Sequence, residues 1–129
     1  MSSKLSIALI QADLFWRKPK SNIKLFENII SNYQKKTDLF ILPEMFTTGF
    51  TMNPKEVAET MDGETINSIM KLSKTVNSAI CGSLIIKEAS CYYNRFIFIE
   101  PNGNIQFYDK RHTFNLVGEG NSYCSGNNT

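Results

Sequence analysis

Leu5-Ser6-Ile7-Ala8-Leu9-Ile10-Gln11-Ala12 is a nearly continuous apolar run, and its reading decides the fold. Such a run suits a strand covered on both faces, as in a parallel or mixed buried sheet. Asp13 to Ser21 turns polar and contains Pro19, so it reads as a loop that feeds a helix. Ile23, Phe26, Ile29, Ile30 and Tyr33 then recur at helical spacing, with Asn22, Lys24, Glu27 and Asn28 between them. This pattern predicts an amphipathic helix with one buried face. Thr37-Asp38 breaks the helix, and Leu39 to Leu42 predicts a second short buried strand stopped by Pro43.

Thr47 to Asp62 has no clean period and holds Gly49 and Pro54, so it reads as a long loop with one helical turn near Lys55 to Thr60. A second helix is predicted from Glu64, where Ile66, Ile69, Met70, Ser73 and Val76 share one face and Asp62 or Gly63 can cap it. Ala79 to Ile86 is a third apolar strand. Tyr92 to Glu100 and Ile105 to Lys110 flank Pro101-Asn102-Gly103-Asn104, a good hairpin signal. The predicted order is β-α-β-α-β-β-β, an α/β layered domain. The end differs in composition: nine of the twelve residues from Gly118 to Thr129 are Gly, Asn, Ser or Thr. That segment reads as a polar loop or frayed tail.

Composition narrows the function classes. The 129 residues fit one domain, and 42% hydrophobic with 20% charged residues is ordinary globular usage. A chain of this length buries roughly two-thirds of its unfolded surface, enough for a core without staples. No apolar run approaches the ~20 residues of a membrane-spanning helix, and the apolar start is shorter than the ~7–15 residues of a secretory core segment. Fourteen Lys+Arg against twelve Asp+Glu leave +2, with the basic residues scattered, so no basic stripe marks a nucleic-acid binder. Cys81, Cys91 and Cys124 are an odd number without a signal peptide, so reduced thiols in a cytoplasmic setting are expected. With no CxxC and His112 as the single histidine, no zinc ligand set is expected.

Few residues carry chemistry on their own. Glu44 follows a buried strand and a proline, the place where open α/β sheets bind ligands. A carboxylate partly desolvated there becomes a usable base; read alone, a surface loop glutamate is the simpler account. Lys110 ends a strand and can place its ammonium over a pocket to stabilise an oxyanion, against the plainer reading of a solvated strand end. His112 has no Ser or Cys tied to it by spacing, and Glu119 sits in the polar tail. Cys81 reads as a small core residue, Cys91 as able to face either way, and Cys124 as exposed. None has a neighbour that would lower its pKa.

Taken together, the segments resemble the nitrilase (carbon–nitrogen hydrolase) superfamily. Four ordered blocks carry the likeness: Leu5 to Ala12; Asp38-Leu39-Phe40-Ile41-Leu42-Pro43-Glu44; Gly82-Ser83 with Tyr93-Asn94; and Gly103 through Tyr108-Asp109-Lys110-Arg111-His112-Thr113-Phe114. Met45-Phe46-Thr47-Thr48-Gly49-Phe50, with Lys110-Arg111-His112, resembles the omega-amidase branch. The resemblance implies the N-terminal part of a nitrilase-like αββα sandwich over residues 1–129. It implies a cysteine-dependent amidase that opens the terminal amide of 2-oxo acids such as 2-oxoglutaramate through a thioester. Glu44 would be the base, Lys110 the oxyanion stabiliser and Glu119 a supporting carboxylate. Arg111 is a candidate partner for a substrate carboxylate. No metal or organic cofactor is implied, and the complete protein is expected to be a homodimer acting on a small amide. The nucleophilic cysteine belongs to a later strand-to-helix turn and is not expected among these residues. A half sandwich would expose apolar strand edges and faces. The alternative reading is a non-catalytic remnant that serves as a folding or interaction module.

Overall fold

A computed structural model describes residues 3–113 and 122–127. Its elements are β1 (Ile7–Leu9), α1 (Pro19–Asn32), β2 (Leu39–Ile41), a single 3-10 turn (Pro54–Glu56), α2 (Glu64–Val76), β3 (Ala79–Glu88), β4 (Cys91–Ile99) and β5 (Ile105–Asp109). The five strands form one mixed sheet in the order β1-β2-β3-β4-β5. β1, β2 and β3 run parallel and are joined through α1 and α2, whereas β3, β4 and β5 are antiparallel hairpins. The α/β expectation and the element order both hold.

Local chemistry explains the helix ends. α1 starts at Pro19, inside the segment read as a loop, because a proline at the first helical position lacks only an N–H that would go unpaired anyway. Tyr33, placed by periodicity on the buried face, is instead the residue just past α1 and is 43% exposed. Asn22 is fully buried; its side chain accepts from Phe15 N and donates to the carbonyls of Phe15 and Thr47, tying two loops to α1. α2 has Gly63 at its N-cap and no side-chain cap from that residue. The Glu59 carboxylate supplies the missing acceptor, taking the Thr65 N–H at 2.9 Å and the Thr65 hydroxyl as well. Asn77, left-handed at φ 54°, ends α2.

The helices cover one face of the sheet. Phe26 and Ile30 of α1 and Ile66, Ile69 and Leu72 of α2 pack on Phe40, Ile80, Leu84, Ile86, Ile97 and Ile99. Each fully buried side chain of this size contributes about 1.5–3 kcal/mol by leaving water. Alternation sends Cys81, Ser83 and Ile85 of β3 to the opposite face, where the outer strands remain open. Ile7 (50%), Leu9 (78%), Phe96 (41%) and Tyr108 (42%) are all exposed there. The reading of Leu5 to Ala12 as covered on both faces is therefore corrected. Only Ile7–Leu9 pairs as strand, it lies at the sheet edge, and Ala8 alone of the three packs against the core. An apolar run records that both faces suit burial, not that both are buried.

The segment 122–127 is irregular but anchored. Ser122 Oγ donates to Met52 O, Tyr123 is buried against Met45 and Ile85, Cys124 N donates to Tyr92 O, and Gly126 N donates to Lys110 O. A Cβ on Gly126 would collide with the Asp109 carbonyl, so glycine permits this approach. Cys91 and Cys124 form a disulfide with Cα atoms 5.7 Å apart. Of the two readings of this segment, a polar loop or a frayed tail, the described residues form a loop, while the expectation of three reduced cysteines falls. The pairing spans 33 residues, and the bond from Cys124 N to Tyr92 O lies next to it.

Candidate active site

The site forms beyond the carboxyl end of β2. Leu42 N donates to Cys81 O at 2.7 Å, which keeps the chain on β3 past the last residue of β2. Ser83 of β3 then holds the turn twice: Met45 N donates to its hydroxyl and Phe46 N to its carbonyl, both at 3.0 Å. Met45 adopts φ 54° to make this turn. A Cβ on Gly82 would lie 2.9 Å from both Leu42 Cβ and Phe46 Cδ1, so the close approach requires glycine. Pro43 and this clamp fix where Glu44 leaves the sheet.

Lys110 arrives from the other side, at the end of β5. Its N–H donates to Asn94 O at 2.9 Å, continuing the β4–β5 ladder by one residue. The Lys110 Nζ lies 3.2 Å from Glu44 Oε1 and 5.4 Å from the centre of the Phe50 ring. Asn94, buried on β4 opposite Ile85, donates its Nδ2 to the same Glu44 Oε1 at 2.7 Å. Glu44 and Lys110, 66 residues apart, thus meet with Asn94 between them. Together with Ser83, Phe96 and Tyr108 they line an open cavity of about 440 Å³.

Magnitudes separate the two contacts on Glu44. The Glu44 and Lys110 side chains are 53% and 31% exposed. An ion pair this exposed contributes about 0–1 kcal/mol and does not fix two long side chains. A hydrogen bond from a buried amide to a charged oxygen contributes about 1.5–3 kcal/mol, before discounting for the exposed carboxylate. Chemically, the cavity offers a carboxylate to move protons and an ammonium to meet a developing negative charge.

Arg111 and His112 are exposed and do not line the cavity. Glu119 lies outside the described residues. Cys81 is buried beside Gly82 but does not line the cavity, and desolvation pushes its thiol above the ordinary range. Among the described residues, no group of three or more His, Cys, Asp or Glu side chains is arranged to hold a metal, and no helix is long and apolar enough to cross a membrane.

Two residues escaped the sequence reading. Asn94 was visible only as part of a block, because a polar residue in a strand normally marks a solvent face. Arg95 is the other, and it is 1% exposed. Its Nε and one terminal nitrogen donate to the two Asp109 oxygens at 2.6 and 2.9 Å, and its guanidinium lies 4.1 Å over the Phe107 ring. Burial acts to lower its pKa, but the hydrogen bonds and charges of Asp109 and Glu88 outweigh this and hold it above the ordinary value. The register Arg95↔Asp109 is the signal that would have found it.

Comparison with known proteins bears on this site. A family model described as carbon–nitrogen hydrolase matches residues 6–125. The chain is 36% identical over 124 residues to an omega-amidase YafV from Yersinia enterocolitica, covering 96% of this chain and 48% of that protein. It is 32% identical over 120 residues to a 2-oxoglutaramate amidase from Bacillus subtilis, covering 90% and 46%. The crystal structure of XC1258 from Xanthomonas campestris, a CN-hydrolase superfamily protein with an arsenic adduct in its active site, superposes with a TM-score of 0.93 at 33% identity, covering 98% of this chain and 48% of that one. The chain spans about half the length of the curated relatives it matches.

Proposed function

Because this chain belongs to the carbon–nitrogen hydrolase family, we propose that it supplies the Glu44 and Lys110 half of a cysteine-dependent amidase. The substrate would be the terminal amide of a 2-oxo acid such as 2-oxoglutaramate. The observation that supports this most is the convergence of Glu44, Asn94 and Lys110 on one cavity. The likeness to proteins named omega-amidase and 2-oxoglutaramate amidase supplies the substrate class.

The steps follow from the groups present. Glu44 takes the proton of a cysteine thiol, and the sulfur attacks the amide carbonyl to form a C–S bond. Lys110 stabilises the oxyanion of the tetrahedral intermediate. Glu44 returns the proton to the nitrogen as the C–N bond breaks and ammonia leaves. Water, with Glu44 again as base, adds to the thioester and releases the acid and the thiol. The thiol itself is not Cys81, which is buried off the cavity, nor Cys91 or Cys124, which are joined to each other. We assign it to a segment outside these 129 residues. Glu119 would support Lys110, Arg111 would meet a substrate carboxylate, and the whole protein would be a cytoplasmic homodimer.

The same cysteine placement favours a second reading, a non-catalytic module that retains the site residues. One experiment separates them: the intact mass of the natural gene product, followed by ammonia release from 2-oxoglutaramate. A mass near twice 14.7 kDa with ammonia release supports the amidase. A mass of 14.7 kDa without ammonia release supports the module.

A further inference from the structure

We propose that Asn94 is a positioning residue that divides the Glu44 carboxylate between two tasks. It holds Oε1 in place, and Oε2 is left to exchange protons in the cavity. The proton-exchange half of this proposal rests on the amidase reading of Glu44; the holding half does not.

The geometry is asymmetric. Oε1 receives Asn94 Nδ2 at 2.7 Å and Lys110 Nζ at 3.2 Å. Among the described residues Oε2 receives no hydrogen bond. With two donors already on Oε1, the unengaged acceptor of this cavity-lining residue is Oε2. A thiol proton is therefore taken by Oε2: the S–H bond breaks and an O–H bond forms there. That O–H bond later breaks as an N–H bond forms on the departing nitrogen.

Asn94 suits the task better than Lys110. Its side chain is short, 3% exposed, and carried on β4 between β3 and β5. Lys110 is long, and its side chain is 31% exposed. Asparagine is also unfavourable in a strand, and a buried amide costs stability unless it is bonded. Here its donor is spent on Glu44. Its main-chain oxygen accepts the Lys110 N–H at 2.9 Å, so one residue sets the origin of both functional groups.

The holding half is tested on the chain itself by the side-chain amide NMR signals of 15N-labelled protein. Asn94→Asp, which keeps the shape, identifies the Asn94 pair by its loss. Glu44→Gln should then move the bonded Asn94 proton upfield, while the amides of Asn22 and Asn67, which are bonded elsewhere, stay in place. An Asn94 pair indifferent to Glu44→Gln overturns the proposal. The proton-exchange half is tested by ammonia release from 2-oxoglutaramate in the natural gene product. Loss of a buried hydrogen bond lowers the melting temperature in either case, so the readout is the split of kcat against KM in protein that is still folded at the assay temperature. A positioning group lowers kcat, here by up to about 100-fold, with KM little changed. Near-parental kcat in folded Asn94→Asp overturns this half when Glu44→Gln is inactive. If Glu44→Gln is itself fully active, the amidase reading fails first and the proton-exchange half falls with it.

Discussion

On one face of the sheet Ile80, Leu84, Ile97 and Ile99 lie under α1 and α2 with at most 1% of their surface exposed; on the other, the adjacent strand residues Phe96 and Tyr108 leave 41% and 42% in contact with solvent. The same strands build both faces, so the difference lies in what covers them. The covered face is apolar apart from the paired Arg95 and Asp109, and it determines whether the chain folds. The open face mixes aromatic rings with Ser83, Asn94, Glu44 and Lys110 around one cavity. Packing disfavours unpaired polar atoms, so chemistry is placed where packing stops. The two faces should therefore respond to substitution in opposite ways.

The largest expected effect is on the covered face. Phe26 is fully buried and meets Phe46 edge-on, ring centres 5.8 Å apart. Phe26→Ala should cost about 3–5 kcal/mol, enough to remove most of the folded population in a urea titration. A Phe26→Ala midpoint close to the parent would break the comparison.

Next is the buried ion pair. Asp109→Ala leaves the Arg95 guanidinium buried with only the longer contacts to Glu88 and should cost about 3 kcal/mol or more. Arg95→Met with Asp109→Leu should recover most of that loss, because a buried pair replaced by apolar groups is close to neutral. The sign for pH is simple. The folded Arg95 value lies above its ordinary one, so its contribution is fully present at all lower pH and is lost only as pH rises past the guanidinium range. Chemical denaturation at neutral and mildly alkaline pH should show no titration from this group.

The disulfide comes third. It closes a loop of 33 residues around β4, β5 and Lys110, for which chain entropy gives about 4 kcal/mol. Urea midpoints with and without dithiothreitol should differ accordingly, and Cys124→Ser should abolish the difference. The smallest effect belongs to the open face: Phe96→Ala should change stability by less than about 1 kcal/mol, since much of the ring is already solvated. A loss as large as that of Phe26→Ala would mean that the open face is packed in solution.

Much of the fold was legible because local patterns determine it. α2 was expected from Glu64 and starts there, and β3 runs from Ala79 as read, extending two residues further. Element order followed from period together with the breaks at Thr37-Asp38, Pro43 and Pro101 to Asn104. Pairings over long separations were not legible. Nothing local ties Glu44 to Lys110, Cys91 to Cys124 or Arg95 to Asp109, because each pair is assembled by the sheet. Glu44 and Lys110 were found through resemblance to a family, and Asn94 needed the β3–β4–β5 register. Leu5 to Ala12 misled for a related reason: hydrophobicity shows what a face is suited to, whereas Ile7 and Leu9 show what is present.

The central claim is that the open face carries chemistry that stability does not depend on, and Glu44→Gln in the natural gene product tests it most directly. Ammonia release from 2-oxoglutaramate and the urea midpoint should be measured on the same preparation. The account predicts a loss of at least about 100-fold in turnover with an unchanged midpoint, since the variant keeps the shape of a side chain already 53% exposed. Near-parental ammonia release from a folded Glu44→Gln protein would contradict it.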